Sequence, residues 1–170
     1  MKNTIILLAL LITSSAAIAQ ENTDSYYDIR LKRQLDSTDL DYSITRSNNF
    51  RIRILTEDSV QERTQVVIIN SYTEKYVGFE IREIGSVGLK LKKSPENYAL
   101  LYEILIRNGE RKIGAWEITE LTNEPEFFYL RHTVKVSINT SPKDLVSLVH
   151  TVAFETDMIE KRFNWGLDEF

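Results

Sequence analysis

Two stretches of the chain open helices in the same way, and what lies between them leaves few folds available. Ser94-Pro95-Glu96-Asn97 and Ser141-Pro142-Lys143-Asp144 each offer a hydroxyl at the N-cap and proline at the first helical position, where its missing N–H costs nothing. After the first start, Tyr98, Leu101, Tyr102 and Leu105 follow i, i+3, i+4, i+7 spacing, and Asn108-Gly109 predicts a left-handed stop. After the second, Leu145, Leu148, Val149, Val152, Thr156, Ile159 and Phe163 form one stripe, with Glu155, Asp157, Glu160 and Lys161 largely off it. Between the helices, Ile113 to Ile118 predicts a strand with Gly114, Trp116 and Ile118 on one face. A longer strand follows, with Phe128, Leu130, Val134, Val136 and Ile138 on one parity and Tyr129, Arg131, Thr133 and Lys135 on the other. Asn123, Glu124 and Pro125 join the two as a hairpin loop. The C-terminal half therefore reads helix, strand, strand, helix.

Upstream the pattern is mostly period two. Tyr27, Leu31 and Leu35, with Ile29, predict a short amphipathic helix over Tyr26 to Leu35. Leu40, Tyr42 and Ile44 alternate with polar residues, as do Phe50, Ile52 and Ile54 with Arg51 and Arg53. Ser47-Asn48-Asn49 between them tolerates positive φ and predicts a hairpin. The uninterrupted Val66-Val67-Ile68-Ile69 suits a central strand covered on both faces, and Val77, Phe79 and Ile81 suit a half-buried one. Gly85-Ser86-Val87-Gly88 reads as a turn, after which Leu89 and Leu91, set among Lys90, Lys92 and Lys93, read as an edge or connector. Helices with strands between them imply an α+β class, an antiparallel sheet packed with helices in the order α-β-β-β-β-α-β-β-α.

The first residues read as an address. Lys2, the apolar run Ile5 to Ile12 and the small-residue ending Ala17-Ile18-Ala19 match a secretory signal peptide over 1–19, cleaved after Ala19. The run is about eight residues, well short of a spanning helix. A disordered stretch over 20–25 and one domain over 26–170 would remain, periplasmic or secreted, with no stable membrane insertion. With no cysteine in the chain, no disulfide and no thiol nucleophile is on offer. The formal charge of −4, mixed along the sequence without a basic run, argues against a nucleic-acid partner.

Catalytic inventory is thin, and no catalytic, cofactor-binding or metal residue is assigned. His132 sits at the inward parity of its strand and needs a hydrogen-bond partner or an open sheet edge; a hydrolase centred on it is the least favoured reading. His150 flanks the stripe of the last helix. Asp36, Asp39 and Asp41 resemble a calcium loop only superficially, because position six of such a loop wants glycine and position twelve glutamate, whereas Asp41 and Ser47 stand there. Neither a nucleophile elbow nor a phosphate-binding glycine pattern occurs. Tyr72, Tyr76, Phe127, Phe128 and Trp165 lie near predicted loops, where aromatics either close the ends of a sandwich or mark a partner surface.

The element order resembles that shared by type III secretion chaperones and the YbjN family. The segment Tyr98-Ala99-Leu100-Leu101-Tyr102-Glu103-Ile104-Leu105-Ile106-Arg107-Asn108, then Lys112-Ile113-Gly114-Ala115-Trp116-Glu117-Ile118, is similar to the YbjN pattern of a leucine-rich helix ending at asparagine before a glycine and an aromatic strand. A long strand, the Ser-Pro helix, Thr156-Asp157 and the closing Asp168-Glu169-Phe170 extend the likeness over most of 26–170. The resemblance implies a chaperone-like fold, frequent dimerisation and a regulatory or adaptor role, with no catalytic residue to transfer. An export signal departs from it, since delivery to a cytoplasmic secretion ATPase would be closed to an exported chain. The expectation is a non-enzymatic exported module that binds a protein partner or itself as a homodimer, without cofactor. The alternative is a periplasmic carrier of a small apolar ligand.

Overall fold

A computed structural model describes residues 26–57 and 62–163. The leader 1–19, the stretch 20–25 and the tail Trp165 to Phe170 lie outside the described residues. In chain order the elements are α1 (Ile29–Asp36), β1 (Tyr42–Ile44), β2 (Phe50–Glu57), β3 (Glu62–Ile69), β4 (Glu74–Tyr76), β5 (Phe79–Lys92), α2 (Pro95–Ile106), β6 (Ala115–Thr119), β7 (Phe127–Ser137) and α3 (Pro142–Phe163). The seven strands form one antiparallel sheet in the order β1-β2-β3-β5-β7-β6, with β4 paired to β5 alone. The α+β class holds, with one more strand ahead of α2 than the sequence suggested.

Both Ser-Pro starts behave as expected. Ser94 Oγ accepts from the Asn97 N–H and Ser141 Oγ from the Asp144 N–H, satisfying donors that the first helical turn leaves open. Asn48 takes φ +62 in the β1–β2 hairpin, as the asparagine pair predicted. The first helix starts later than its periodicity suggested, at Ile29, because Asp28 turns its carboxylate onto the Arg30 N–H and caps it there.

Inward residues of alternate parity, Phe50, Ile52, Val67, Ile69, Ile84, Val134 and Val136, meet Leu31 and Leu35 of α1 and Leu145, Val149, Val152 and Ala153 of α3. A second cluster joins Leu101 and Ile104 of α2 to Leu89, Trp116, Phe128 and Leu130, and Ile159 and Phe163 carry α3 across to it. All three helices thus cover one face of the sheet. The other face stays open, so Val66 and Ile68 are only half-buried and β3 is not covered on both sides.

The largest correction concerns the glycine segment. Gly85-Ser86-Val87-Gly88 is no turn, and Leu89 and Leu91 are no connector; both lie inside β5, a 14-residue strand that pairs with β7 along its length. Gly88 marks a register shift between Val87 and Leu89, which absorbs the extra residue as a bulge. Gly85 leaves room on the open face for Arg131, whose guanidinium lies within 2.6 Å of where a Cβ would stand. The strand predicted from Val77 begins instead at Phe79, because Val77 and Gly78 form the tight turn of the β4–β5 hairpin.

Asn108-Gly109 is not a left-handed stop. Arg107–Glu110 continues α2 as a 3-10 turn, and positive φ falls on Gly114 at +71 instead. The Asn108 side chain reaches across to β6, where its Nδ2 donates to the Trp116 carbonyl at 2.9 Å and its Oδ1 accepts from the Trp116 N–H at 2.8 Å. The amide stands in for a neighbouring strand at the outer edge of β6. That occupies the backbone groups through which another chain could add there.

Candidate functional site

Three features stand out once the core is assigned: a buried histidine beneath a charged cleft, a buried ionic cluster, and an uncovered stripe on α2. The histidine is His132, fully buried on β7 between its register neighbours Ser86 on β5 and Trp116 on β6. Its ring lies 5.1 Å from that of Trp116, centroid to centroid. Inward parity was expected for His132, but neither expected resolution occurs. It is not at the sheet edge, and among the described residues neither ring nitrogen has a hydrogen-bond partner, nor does Trp116 Nε1. Burial, reinforced by the nearby charge of Arg111, lowers the His132 pKa from 6.5 to about 4, with Glu155 and the Ile113 backbone pulling weakly the other way. At neutral pH the ring is therefore uncharged. Ser86 is the adjacent hydroxyl, but it donates to the Val66 carbonyl at 2.7 Å and so is turned away from the imidazole.

Gly114 is fitted to this cluster. A Cβ there would come within 2.8 Å of His132 Nε2, the Thr133 carbonyl and Val134 Cγ2, and the backbone is left-handed as well. Gly114→Ala should destabilise the fold by about 2–3 kcal/mol in chemical denaturation, since neither the strain nor the contact with the backbone carbonyl can relax cheaply. A loss below about 0.5 kcal/mol would mean that β6 can move aside.

Above His132 an open cleft of about 560 Å³ runs between α2 with its 3-10 extension and α3. Arg111 pairs with Glu155 across it and holds its guanidinium 5.4 Å from the Trp116 ring centroid. Glu103 pairs with Arg107 at 3.0 Å and approaches Arg162 at 4.0 Å. With Glu110 and Lys112 also lining it, the cleft is ringed by charge, and Ile104, Ile113, Met158, Ile159 and Phe163 supply its apolar lining.

The buried ionic cluster overturns one expectation from the sequence. Asp157 and Glu160, which polarity placed off the α3 stripe, are 1% and 0% exposed. They turn inward because Arg63 and Gln65 hold the inward parity of β3: Arg63 Nε donates to Asp157 at 2.8 Å, and its Nη2 pairs with Glu160 at 2.9 Å. Gln65 donates to Glu160 at 2.5 Å, and Lys161 approaches Asp157 at 2.7 Å. Period-two reading carried back from Val67 and Ile69 to Gln65 and Arg63 was the signal that could have found it.

The third feature is the outward side of α2. Tyr98, Tyr102 and Ile106, spaced i, i+4, i+8, are 50%, 69% and 63% exposed, and Ile118 stands exposed on the same side of the sheet. These side chains lie beside the exposed Glu96 and Glu103 of the same helix, so the outward side of α2 is part apolar stripe and part charged edge. Of the aromatics singled out from the sequence, Phe128 closes the second core cluster with Tyr98 against it, whereas Tyr72 and Tyr76 remain in solvent. His150 is exposed on α3, and Asp36 is engaged by Lys32 and Tyr42. Among the described residues no helix is long and apolar enough to cross a membrane. Comparison of the chain with protein-family models, with curated proteins and with solved structures finds no match to any of them.

Proposed function

We propose that the protein is a non-enzymatic, exported binding or regulatory module with a secretion-chaperone-like, YbjN-like fold, and that the stripe of α2 is where it meets another polypeptide, in the first instance a second copy of itself. The observation that carries the reading is that stripe. Tyr98, Tyr102 and Ile106 expose large apolar side chains along three turns of one helix, and no charged side chain interrupts their line. Such an apolar line is self-complementary across a two-fold axis. The Asn108 clamp on Trp116 is in keeping with this, because it blunts strand addition at β6, the sheet edge nearest α2.

Light scattering coupled to size exclusion, over a hundredfold range of protein concentration, tests this. The expected result is a dimer that Tyr102→Glu with Ile106→Glu converts to a folded monomer, since a charge buried at such an interface costs several kcal/mol. A native chain that stays monomeric throughout, and whose elution the two substitutions leave unchanged, would overturn the assignment.

A further inference from the structure

The turn between β4 and β5 is built in a way that stability does not explain. Val77 and Gly78 both take left-handed backbone, at φ +46 and +84, the two-residue arrangement that matches strand twist and is ordinarily Asn-Gly or Asp-Gly. Gly78 suits it. Val77 does not, because a branched Cβ crowds its own backbone in that region. Nothing compensates, since the Val77 side chain is 80% exposed. Directly opposite each other across the turn stand Tyr76 and Phe79, 68% and 67% exposed, with their rings on the same face of the hairpin. The fold gains almost nothing from any of the three.

We propose that this apex is a membrane-contact site, in which Tyr76, Val77 and Phe79 enter the interfacial layer of a lipid bilayer while the domain stays in water. The apex protrudes: β4 pairs with β5 alone, and beyond its chain neighbours no described residue lies within 4 Å of where a Gly78 Cβ would be. A bilayer yields to a protruding apolar tip such as Tyr76, Val77 and Phe79 form, whereas a polypeptide partner would have to supply a shaped surface to fit it. Headgroup level is where such a ring with a polar tip resides, and water there still reaches the peptide groups at the turn. The nearby charges are balanced. Glu74 and Lys75 adjoin each other, and Glu80 is held by Arg30 at 2.6 Å and by Thr73. The attraction is thus apolar and needs no anionic lipid. This surface is separate from α2, so the two proposals stand or fall independently.

The chain has no cysteine, so Lys75→Cys carrying an environment-sensitive dye reports on the apex alone, whatever any other segment does. With phosphatidylcholine vesicles at millimolar lipid, its emission should shift to the blue and persist in high salt. A dye at Asn123→Cys, in the loop at the other end of β7, should not respond. Tyr76→Ser or Phe79→Ser in the Lys75→Cys background should each weaken the lipid dependence about tenfold. Val77→Asn should weaken it too, while raising the thermal midpoint by about 2–5 °C, a gain in stability coupled to a loss of contact. A label that stays in water with phosphatidylcholine overturns the proposal. So does a response seen only with phosphatidylglycerol and abolished by salt, or a Val77→Asn variant that keeps its lipid response.

Discussion

Arg63→Met is expected to cost about 3–5 kcal/mol of folding free energy, more than any other single substitution proposed for this chain. Arg63 is 2% exposed and bonds two carboxylates that are themselves buried, Asp157 and Glu160. Removing the guanidinium leaves like charges facing each other across one turn of α3, out of reach of bulk water. The contrast that identifies the cause is the triple variant Arg63→Met, Asp157→Leu, Glu160→Leu. An apolar set of similar volume removes the desolvation cost of the charges but leaves the buried Gln65 amide without its Glu160 acceptor, so it should recover only part of the lost stability. Urea denaturation of the native, single and triple variants measures this. If the triple variant is no better than Arg63→Met, the cluster contributes through shape rather than charge.

The same cluster shows where sequence reading stops. Apolar parity placed β2, β7 and α3 well because an inward face made of Ile, Val and Leu announces itself, as at Phe50, Ile52 and Ile54. Asp157 and Glu160 carry no such signal, since their burial depends on Arg63, which is 94 positions from Asp157 and on another element. Gly85 and Gly88 misled for a related reason. Glycine marks a turn locally, but here one admits the Arg131 side chain and the other absorbs a bulge, and both reasons exist only once β7 is in place. Asn108 looks like a helix stop locally, yet the chain runs through it as a 3-10 turn and its amide acts on β6 rather than on its own backbone.

The candidate surfaces were legible only in part. Periodicity identified the inward side of α2, but Tyr98 and Tyr102, counted with the apolar pattern, prove half-exposed or more. Exposure on a helix is set by what packs beside it: Leu101 and Ile104 meet the sheet and the end of α3, and Tyr98, Tyr102 and Ile106 lie away from that contact. Tyr76 stood out as an aromatic near a loop, whereas the strain at Val77 required a backbone dihedral to become visible.

Acid should unfold the protein in two separable steps, and His132 governs the first. Its pKa is 6.5 when exposed and about 4 in the fold, where burial opposes the charged form. As pH falls below 6.5 the unfolded chain takes up a proton that the folded chain refuses, so the His132 contribution declines until pH reaches about 4 and then levels off. The sign follows from the unfolded state binding more protons throughout that window, and the full loss is roughly 3 kcal/mol. Asp28 contributes to the second step together with Glu80, whose pKa hydrogen bonds from Arg30 and Thr73 hold down from 4.5 to about 2. Burial alone would raise the Asp28 pKa, but hydrogen bonds from Arg30 and Arg82 hold it down from 3.8 to about 2, so the stability Asp28 lends persists above 3.8 and is lost as pH falls through 2. His132→Phe tests the assignment, because phenylalanine keeps the ring against Trp116 and removes two nitrogens that have no hydrogen-bond partner among the described residues. At pH 8 the variant should equal or exceed the native chain by about 1 kcal/mol. At pH 4 its advantage should widen to about 3–4 kcal/mol, with the decline below pH 3.8 retained. Denaturation curves of both proteins from pH 8 to pH 3 decide it: parallel pH profiles would mean that His132 takes its proton in the folded state as readily as in the unfolded one.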